Sequence, residues 1–278
     1  MSNADSVRSQ VSETYARAIT TPKTGGCCGP SQAGSTCGST AVLGYSPGEI
    51  ATIPVEAATS SFGCGNPLAF NQVQEGQTVL DLGSGAGMDL LLAAKKVGPK
   101  GRAIGVDMTD EMIAAARKNI TAAGAANAEV RKGIIENLPV ENGTVDWVIS
   151  NCVINLSPEK PKVFSEIARV LKSGGHFSIS DIVVEDFPEA LRSNVALYGA
   201  CVAGAVSEKE YLAGLRAAGL EDVAIVEKTP YGADFIRSFL ASAESPVPEL
   251  GKNTAFVDEI ANRFAAKVAS IRVTGRKA

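Results

Sequence analysis

Apolar residues recur first at helical spacing and later in short strand-like runs between helical ones, and that change lays out the architecture. Val7, Val11, Tyr15 and Ile19 stand four residues apart and predict one face of a helix over residues 5–19. Residues 21–40 are rich in Gly, Ser, Thr and Pro, carry Cys27, Cys28 and Cys37, and predict a loop. Ser46-Pro47-Gly48-Glu49 has the form of a capping box with proline at the first helical position. Phe62-Gly63-Cys64-Gly65-Asn66-Pro67 reads as a glycine-flanked loop, with Asn66 and Pro67 opening a further short helix. A helical cap over residues 1–77 therefore precedes the first core strand.

From Thr78 the chain alternates strand and helix. Strands are predicted near 78–82, 102–107, 127–132, 145–150, 175–183, 222–228 and 267–275, with helices between them. Thr109 with Asp110 and Glu111 opens the helix after the second strand. Ser157-Pro158-Glu159 opens the helix after the fourth strand, and Gly174-Gly175 is expected to close it. Ser207 and Glu210 form another capping box. Residues 184–221 and 231–266 read as helical insertions on either side of the sixth strand. The alternation predicts an α/β fold with a mostly parallel, seven-stranded sheet. Three parts are expected: a cap with a cysteine-bearing loop (1–77), a ligand-binding core (78–183), and a remainder (184–278) that supplies further thiol chemistry and the last strands.

The most informative stretch is Thr78 to Gly87, T-V-L-D-L-G-S-G-A-G. A short apolar strand runs into three glycines and then into an apolar helical run from Met88 to Val97. Gly83, Gly85 and Gly87 give G-x-G-x-G rather than the G-x-G-x-x-G of a dinucleotide site. Glycines let backbone approach a ligand with no Cβ in the way, and the helix behind offers its N-terminal N–H groups. Asp107 ends the next strand, 26 residues after Asp81. An acid there can accept both hydroxyls of a ribose. The stretch predicts a nucleoside pocket, and its spacing argues against an NAD-type unit.

Charge narrows the ligand classes. Lysines and arginines number 26 against 30 aspartates and glutamates, a net charge of −4, which disfavours a nucleic-acid partner. No apolar run approaches bilayer-spanning length, and M-S-N-A-D-S-V-R-S-Q carries no apolar signal core. The cytosol is the expected compartment, so the six cysteines are expected as thiols rather than as a disulfide framework.

Three of those cysteines fall in segments that reach one edge of the sheet: Cys64 in the cap loop, Cys152 after the fourth strand in Ser150-Asn151-Cys152, and Cys201 in the insertion after the fifth. Converging thiols select soft metals and metalloids. Zinc is poorly supported, because the chain has no C-x-x-C and its one histidine, His176, opens the fifth strand. Trivalent arsenic prefers three thiolates and keeps a nucleophilic lone pair, so it needs no base to remove a proton.

The glycine loop with Asp107 resembles the class I, Rossmann-like S-adenosylmethionine-dependent methyltransferases. That resemblance implies seven strands with the last antiparallel. It implies a methionine-binding loop over Asp81, Gly83, Ser84, Gly85 and Gly87, and ribose binding by Asp107. It also implies adenine contacts from the Ile135 backbone and the Glu136 side chain, with Met108 packed on the nucleoside and Asn151 orienting the methionine. F-G-C-G-N-P, V-L-D-L-G-S-G-A-G, G-V-D-M-T, S-N-C-V-I-N-L-S-P-E-K and Y-G-A-C-V-A-G-A are together similar to the arsenite S-adenosylmethionine methyltransferases. This narrower resemblance implies arsenic(III) binding and turnover by Cys64, Cys152 and Cys201, stepwise methylation of arsenite and methylarsenite in detoxification, and thioredoxin or glutathione as reductant. Cys27 and Cys28 match the cysteines of the family's N-terminal loop. Adjacent cysteines form a strained ring if joined, so each pairs more readily with a distant thiol; the expected partner of one of them during turnover is Cys64. Two other readings stay open at this point: a small-molecule methyltransferase with incidental cysteines, and a metalloid-binding protein without turnover.

Overall fold

A computed structural model describes residues 3–20, 45–60, 63, 65–67, 72–192, 198, 201–241 and 254–278. The N-terminal pattern forms helix α1 (Asn3–Thr20), and Ser46 and Glu49 close their capping box on α2 (Pro47–Ile50). A short helix α3 (Val55–Thr59) follows. The loop at 21–40, the helix expected after Pro67, and Cys27, Cys28, Cys37 and Cys64 lie outside the described residues.

The core then alternates as expected: β1 (Thr78–Leu82), α4 (Met88–Val97), β2 (Arg102–Asp107), α5 (Asp110–Ala122), β3 (Ala128–Lys132), β4 (Val145–Asn151), α6 (Lys160–Val170) and β5 (Leu171–Val184). Next come α7 (Glu189–Arg192), α8 (Glu208–Ala217), β6 (Leu220–Pro230), α9 (Ala233–Ala241), α10 (Thr254–Phe264) and β7 (Val268–Lys277). The sheet order is β3-β2-β1-β4-β5-β7-β6. β1 lies between β2 and β4, parallel to both, while β7 runs antiparallel between β5 and β6. The strand order therefore reverses beside β1, and the crevice outside the carboxyl ends of β1 and β4 is where such sheets bind ligands.

Both faces of the central strands are covered, which is why they read as nearly continuous apolar runs. Leu80, Leu82, Val148 and Phe177 pack under Phe164 and Ile167 of α6 and Tyr211 and Leu215 of α8. Val79, Trp147 and Ile149 face the other way, against Leu90 and Leu91 of α4 and Ile113 of α5. A third cluster joins Val11 of α1, Cys152, Leu156, Ile182, Cys201 and Phe264 of α10, and it stands at the edge where the ligand crevice opens.

One expected boundary is wrong. Gly174-Gly175 does not end α6, which stops at Val170 as Leu171 pairs with Val145. The next pair is His176 with Trp147, so residues 172–175 bulge out of β5, with Gly174 at φ +74° supplying the left-handed turn. The glycine pair marks an irregularity inside a strand, not a helix terminus. Thr109 precedes α5 as expected but makes no side-chain cap; its N–H donates instead to Asp107 Oδ1 at 2.9 Å.

Candidate active site

The glycine loop turns from β1 into α4 with Gly83, Gly85 and Gly87 all at positive φ. At Gly83 both conformation and space demand glycine, since a Cβ there would lie 2.3 Å from Val153 Cγ2. The loop floors a cleft with roughly 970 Å³ of space out to its open mouth. Asp81, Ser84, Asp107, Met108, Ile135 and Glu136 all line it. Asn151, Cys152 and Gly63 form the wall on the β4 side, and Arg8, Val11 and Tyr15 of α1 cross the top. Of the described residues expected at a nucleoside pocket, all but Gly87, which turns the loop into α4 behind it, reach one cavity.

The cavity is lined with buried acids. Asp107 accepts from the Gly85 N–H through Oδ2 at 3.0 Å and from Thr109 through Oδ1, which leaves the carboxylate aimed across the loop. Burial raises its carboxyl, while those backbone N–H groups hold it down. Asp81 is 2% exposed, and burial together with Asp89 and Asp107 pushes it well above the ordinary carboxylate range. Asp81 Oδ2 and Ser84 Oγ are buried with no hydrogen-bond partner among the described residues. Orphaned buried polar atoms facing a cavity are complementary to a polar ligand.

Glu136 faces the cleft under more constraint than expected. Its Oε1 accepts from Ser157 Oγ at 2.6 Å and from Arg8 Nε at 3.2 Å. Arg8 also bonds Glu159 and, at 3.2 Å, Asp5. Seven residues further along α1, two turns or about 10.5 Å, Tyr15 Oη lies 4.0 Å from Cys201 Sγ. One helix thus runs from the Glu136 end of the cleft to the thiol end.

Cys152 and Cys201 are brought together from either side of β5. Cys201 Sγ donates to the Cys152 carbonyl at 2.8 Å. Both residues hold left-handed backbone, φ +57° and +61°, an arrangement that non-glycine residues keep only when their surroundings enforce it. Cys201 carries a reduced, buried thiol, whereas Cys152 is disulfide-bonded, contrary to the expectation of thiols throughout. Near them lies the buried ammonium of Lys160, bonded to the carbonyls of Ser157 and Asn155 at 3.1 and 3.4 Å. Burial lowers it to about 8, against opposing pulls from Asp181 and Cys201. Asp181 is fully buried and pushed up to about 7 by desolvation, despite accepting from Asn155 and Tyr211 at 2.8 and 3.0 Å. His176 stacks on Trp147 at 4.8 Å, five residues down β4 from Cys152, about 16 Å along a strand. It stands away from the thiols, as its position in the sequence predicts.

A methyltransferase domain family matches residues 73–219. An arsenite methyltransferase of Halobacterium salinarum is 46% identical over 205 residues, 73% of this chain and 51% of the relative. The human arsenite methyltransferase is 38% identical over 165 residues, 56% of this chain and 44% of the relative. A crystal structure of CrArsM, an arsenic(III) S-adenosylmethionine methyltransferase from Chlamydomonas reinhardtii, is 33% identical with a TM-score of 0.60, covering 86% of this chain and 72% of that one.

The chain belongs to the arsenite methyltransferase family. The resemblance carried by its cysteine and glycine motifs is thereby borne out, as is the class I fold. The chain spans about half the length of the curated arsenite methyltransferases it matches. S-adenosylmethionine is the cofactor of this fold, and the residues present suit it: a glycine floor, an acid at the end of β2, and unpartnered Asp81 Oδ2 and Ser84 Oγ. No helix among the described residues is long and apolar enough to cross a membrane.

Two cleft residues, Arg8 and Asp89, escaped sequence reasoning, as did Tyr45, which bonds Asp89, and Lys160 near the thiols. Asp89, two residues past the last loop glycine, left the clearest trace, since an acid in a first helical turn is ordinarily read as complementing the helix dipole.

Proposed function

We propose that the protein transfers methyl groups from S-adenosylmethionine to thiol-bound trivalent arsenic, with arsenite and methylarsenite as substrates. The observation that carries this reading is the contact between Cys152, on the wall of the cleft, and Cys201 behind it. Two sulfurs beside a cofactor cavity form a soft site where an acceptor's lone pair can meet an activated methyl group. Bound there, the cofactor supplies an electrophilic methyl on a sulfonium. The chain's part is to hold the acceptor in line and to exclude water. An arsenic lone pair needs no base, consistent with His176 lying away from Cys152.

Cys64 completes the proposed ligand set with Cys152 and Cys201. Opening the Cys152 disulfide takes two electrons and two protons from a thiol reductant, thioredoxin or glutathione, before its sulfur can bind. Each thiol then displaces one hydroxyl of arsenite as water. In the same reading Cys27 or Cys28 closes a disulfide with Cys64, and the two electrons released return an As(V) product to As(III). Asp107 takes the ribose, Ile135, Glu136 and Met108 surround the base, and Asn151 lies at the methionine end. Residues 1–77 act as cap, 78–183 as cofactor core, and 184–278 as the thiol-bearing remainder. The setting is the cytoplasm, and the role is detoxification.

Speciation of arsenic products from purified protein with S-adenosylmethionine and thiol tests this. Methylated arsenic is expected from the wild type and none from Cys152→Ser or Cys201→Ser with the fold intact. Undiminished methylation by Cys152→Ser refutes the acceptor site.

A further inference from the structure

Asp89 is a buried carboxylate in the first turn of α4 that lines the cleft beside Asp81. Its Oδ1 accepts from the Tyr45 hydroxyl at 2.5 Å and its Oδ2 from Asn151 Nδ2 at 3.1 Å. Asn151 Nδ2 also donates to the Tyr45 oxygen at 3.2 Å, so the three side chains close a ring. The same amide grips one backbone residue from both ends: Nδ2 donates to Gly65 O at 2.7 Å, and Gly65 N–H donates to Oδ1 at 3.2 Å. Gly63 lies flat on that amide, where a Cβ would stand 2.3 Å from Nδ2. Residues 45, 65, 89 and 151, remote in sequence, are thus tied through one carboxylamide.

The side chains hydrogen-bonded to Asp89 are neutral, and its neighbour is another acid. Burial lifts Asp89 to about 6, with Tyr45 and Asn151 holding it down. It in turn raises Asp81, whose buried Oδ2 has no partner among the described residues and which also lines the cleft. Two acids crowded into a buried corner call for a cation between them. The methionine end of the cofactor carries one, its α-ammonium.

We propose that Asp89, oriented by Tyr45, receives the α-ammonium of the cofactor's methionine end together with Asp81, and that Asn151 links this receptor to the backbone at Gly63 and Gly65. Those glycines flank Cys64 in sequence, so a filled receptor fixes the chain on both sides of a proposed arsenic ligand. Asp89 is the binding group; Tyr45 and Asn151 are positioning residues. The inference rests on the cofactor reading of the cleft and is independent of arsenic chemistry.

Titration calorimetry with three ligands tests it without turnover: S-adenosylhomocysteine, its deamino analogue, and 5′-methylthioadenosine, which lacks the amino-acid end. Asp89→Asn should weaken S-adenosylhomocysteine at least tenfold and leave the other two within about twofold. Tyr45→Phe should give a smaller loss with the same ligand pattern, and it serves if Asp89→Asn does not fold. Equal losses for all three ligands, or no loss for S-adenosylhomocysteine, overturn the assignment. Hydrogen exchange supplies a second readout: S-adenosylhomocysteine should slow exchange of the Gly65 amide in the wild type and not in Asn151→Ala. An unchanged Gly65 rate in the wild type overturns the link to the loop. Normal ligand discrimination with no arsenic product would instead sink the arsenic reading alone.

Discussion

Cys201 Sγ lies 2.8 Å from the carbonyl oxygen of Cys152, to which it donates, and both residues hold left-handed backbone. A side chain at such a φ costs on the order of 1–3 kcal/mol that glycine avoids. Cys201→Gly should therefore lie within about 1 kcal/mol of the wild type, the relief of strain offsetting the lost burial. The same change should abolish arsenite binding to the reduced protein. Thermal melts and arsenite stoichiometry check the two halves, and a variant that melts normally and still binds arsenite breaks the link between strain and function.

Arg8 bolts α1 across the cleft mouth by its bonds to Glu136 and Glu159. Its side chain is 16% exposed, and Glu136 is 8% exposed, so removing the guanidinium strands a buried carboxylate. Arg8→Ala should loosen α1 by roughly 1–3 kcal/mol. Amide exchange across residues 3–20 should rise well before global unfolding. Exchange at the wild-type rate contradicts the bolt.

Asp181 gives a pH signature. Its carboxyl is ordinary in the unfolded chain and pushed up to about 7 by burial in the folded one. Between about 4 and about 7 the folded state holds the extra proton, so this group's contribution to stability is complete at low pH and is lost as pH rises through about 7. Asp89, at about 6, adds a slope of the same sign, and Lys160, at about 8, acts above that window in the opposite sense. The difference between wild type and Asp181→Asn isolates one group. It should move against the wild type as pH rises, by at most roughly 4 kcal/mol for a shift of about three pKa units. Denaturant melts across pH 5 to 8 measure it, and a flat difference excludes the assignment.

Gly83 offers a steric test. Gly83→Ala adds a Cβ 2.3 Å from Val153 Cγ2 at φ +63°. Cofactor affinity should fall at least tenfold, and Val153→Ala should recover part of it by relieving the clash but not the backbone strain. Full recovery in the double variant would show that space alone dictated glycine.

The strands were legible because each is a short apolar run bounded by turn residues. β1 and β2 fall on their expected residues. Gly174-Gly175 misled because glycine signals an interruption without saying of what; the pairing of Leu171 with Val145 decided that it interrupts a strand. Half the cleft was readable for a similar reason. Asp81, Gly83, Gly85 and Asp107 lie on one strand–loop–helix unit and the strand beside it, so spacing reports geometry. Tyr45, Asp89 and Asn151 meet across three separate elements, and no linear spacing records that. The reach of Arg8 to Glu136, 128 positions apart, is equally invisible in one sequence.

The docking of α1 has a consequence for synthesis. Its contacts at Glu136, Glu159 and Cys201 belong to residues translated long after it leaves the ribosome. An amphipathic segment made before its partners must wait until Glu136, Glu159 and Cys201 have followed it. Local order elsewhere can form as the nascent chain lengthens, but this helix seats late. During that interval its apolar stripe of Val7, Val11 and Tyr15 lacks the cluster that covers it in the folded protein.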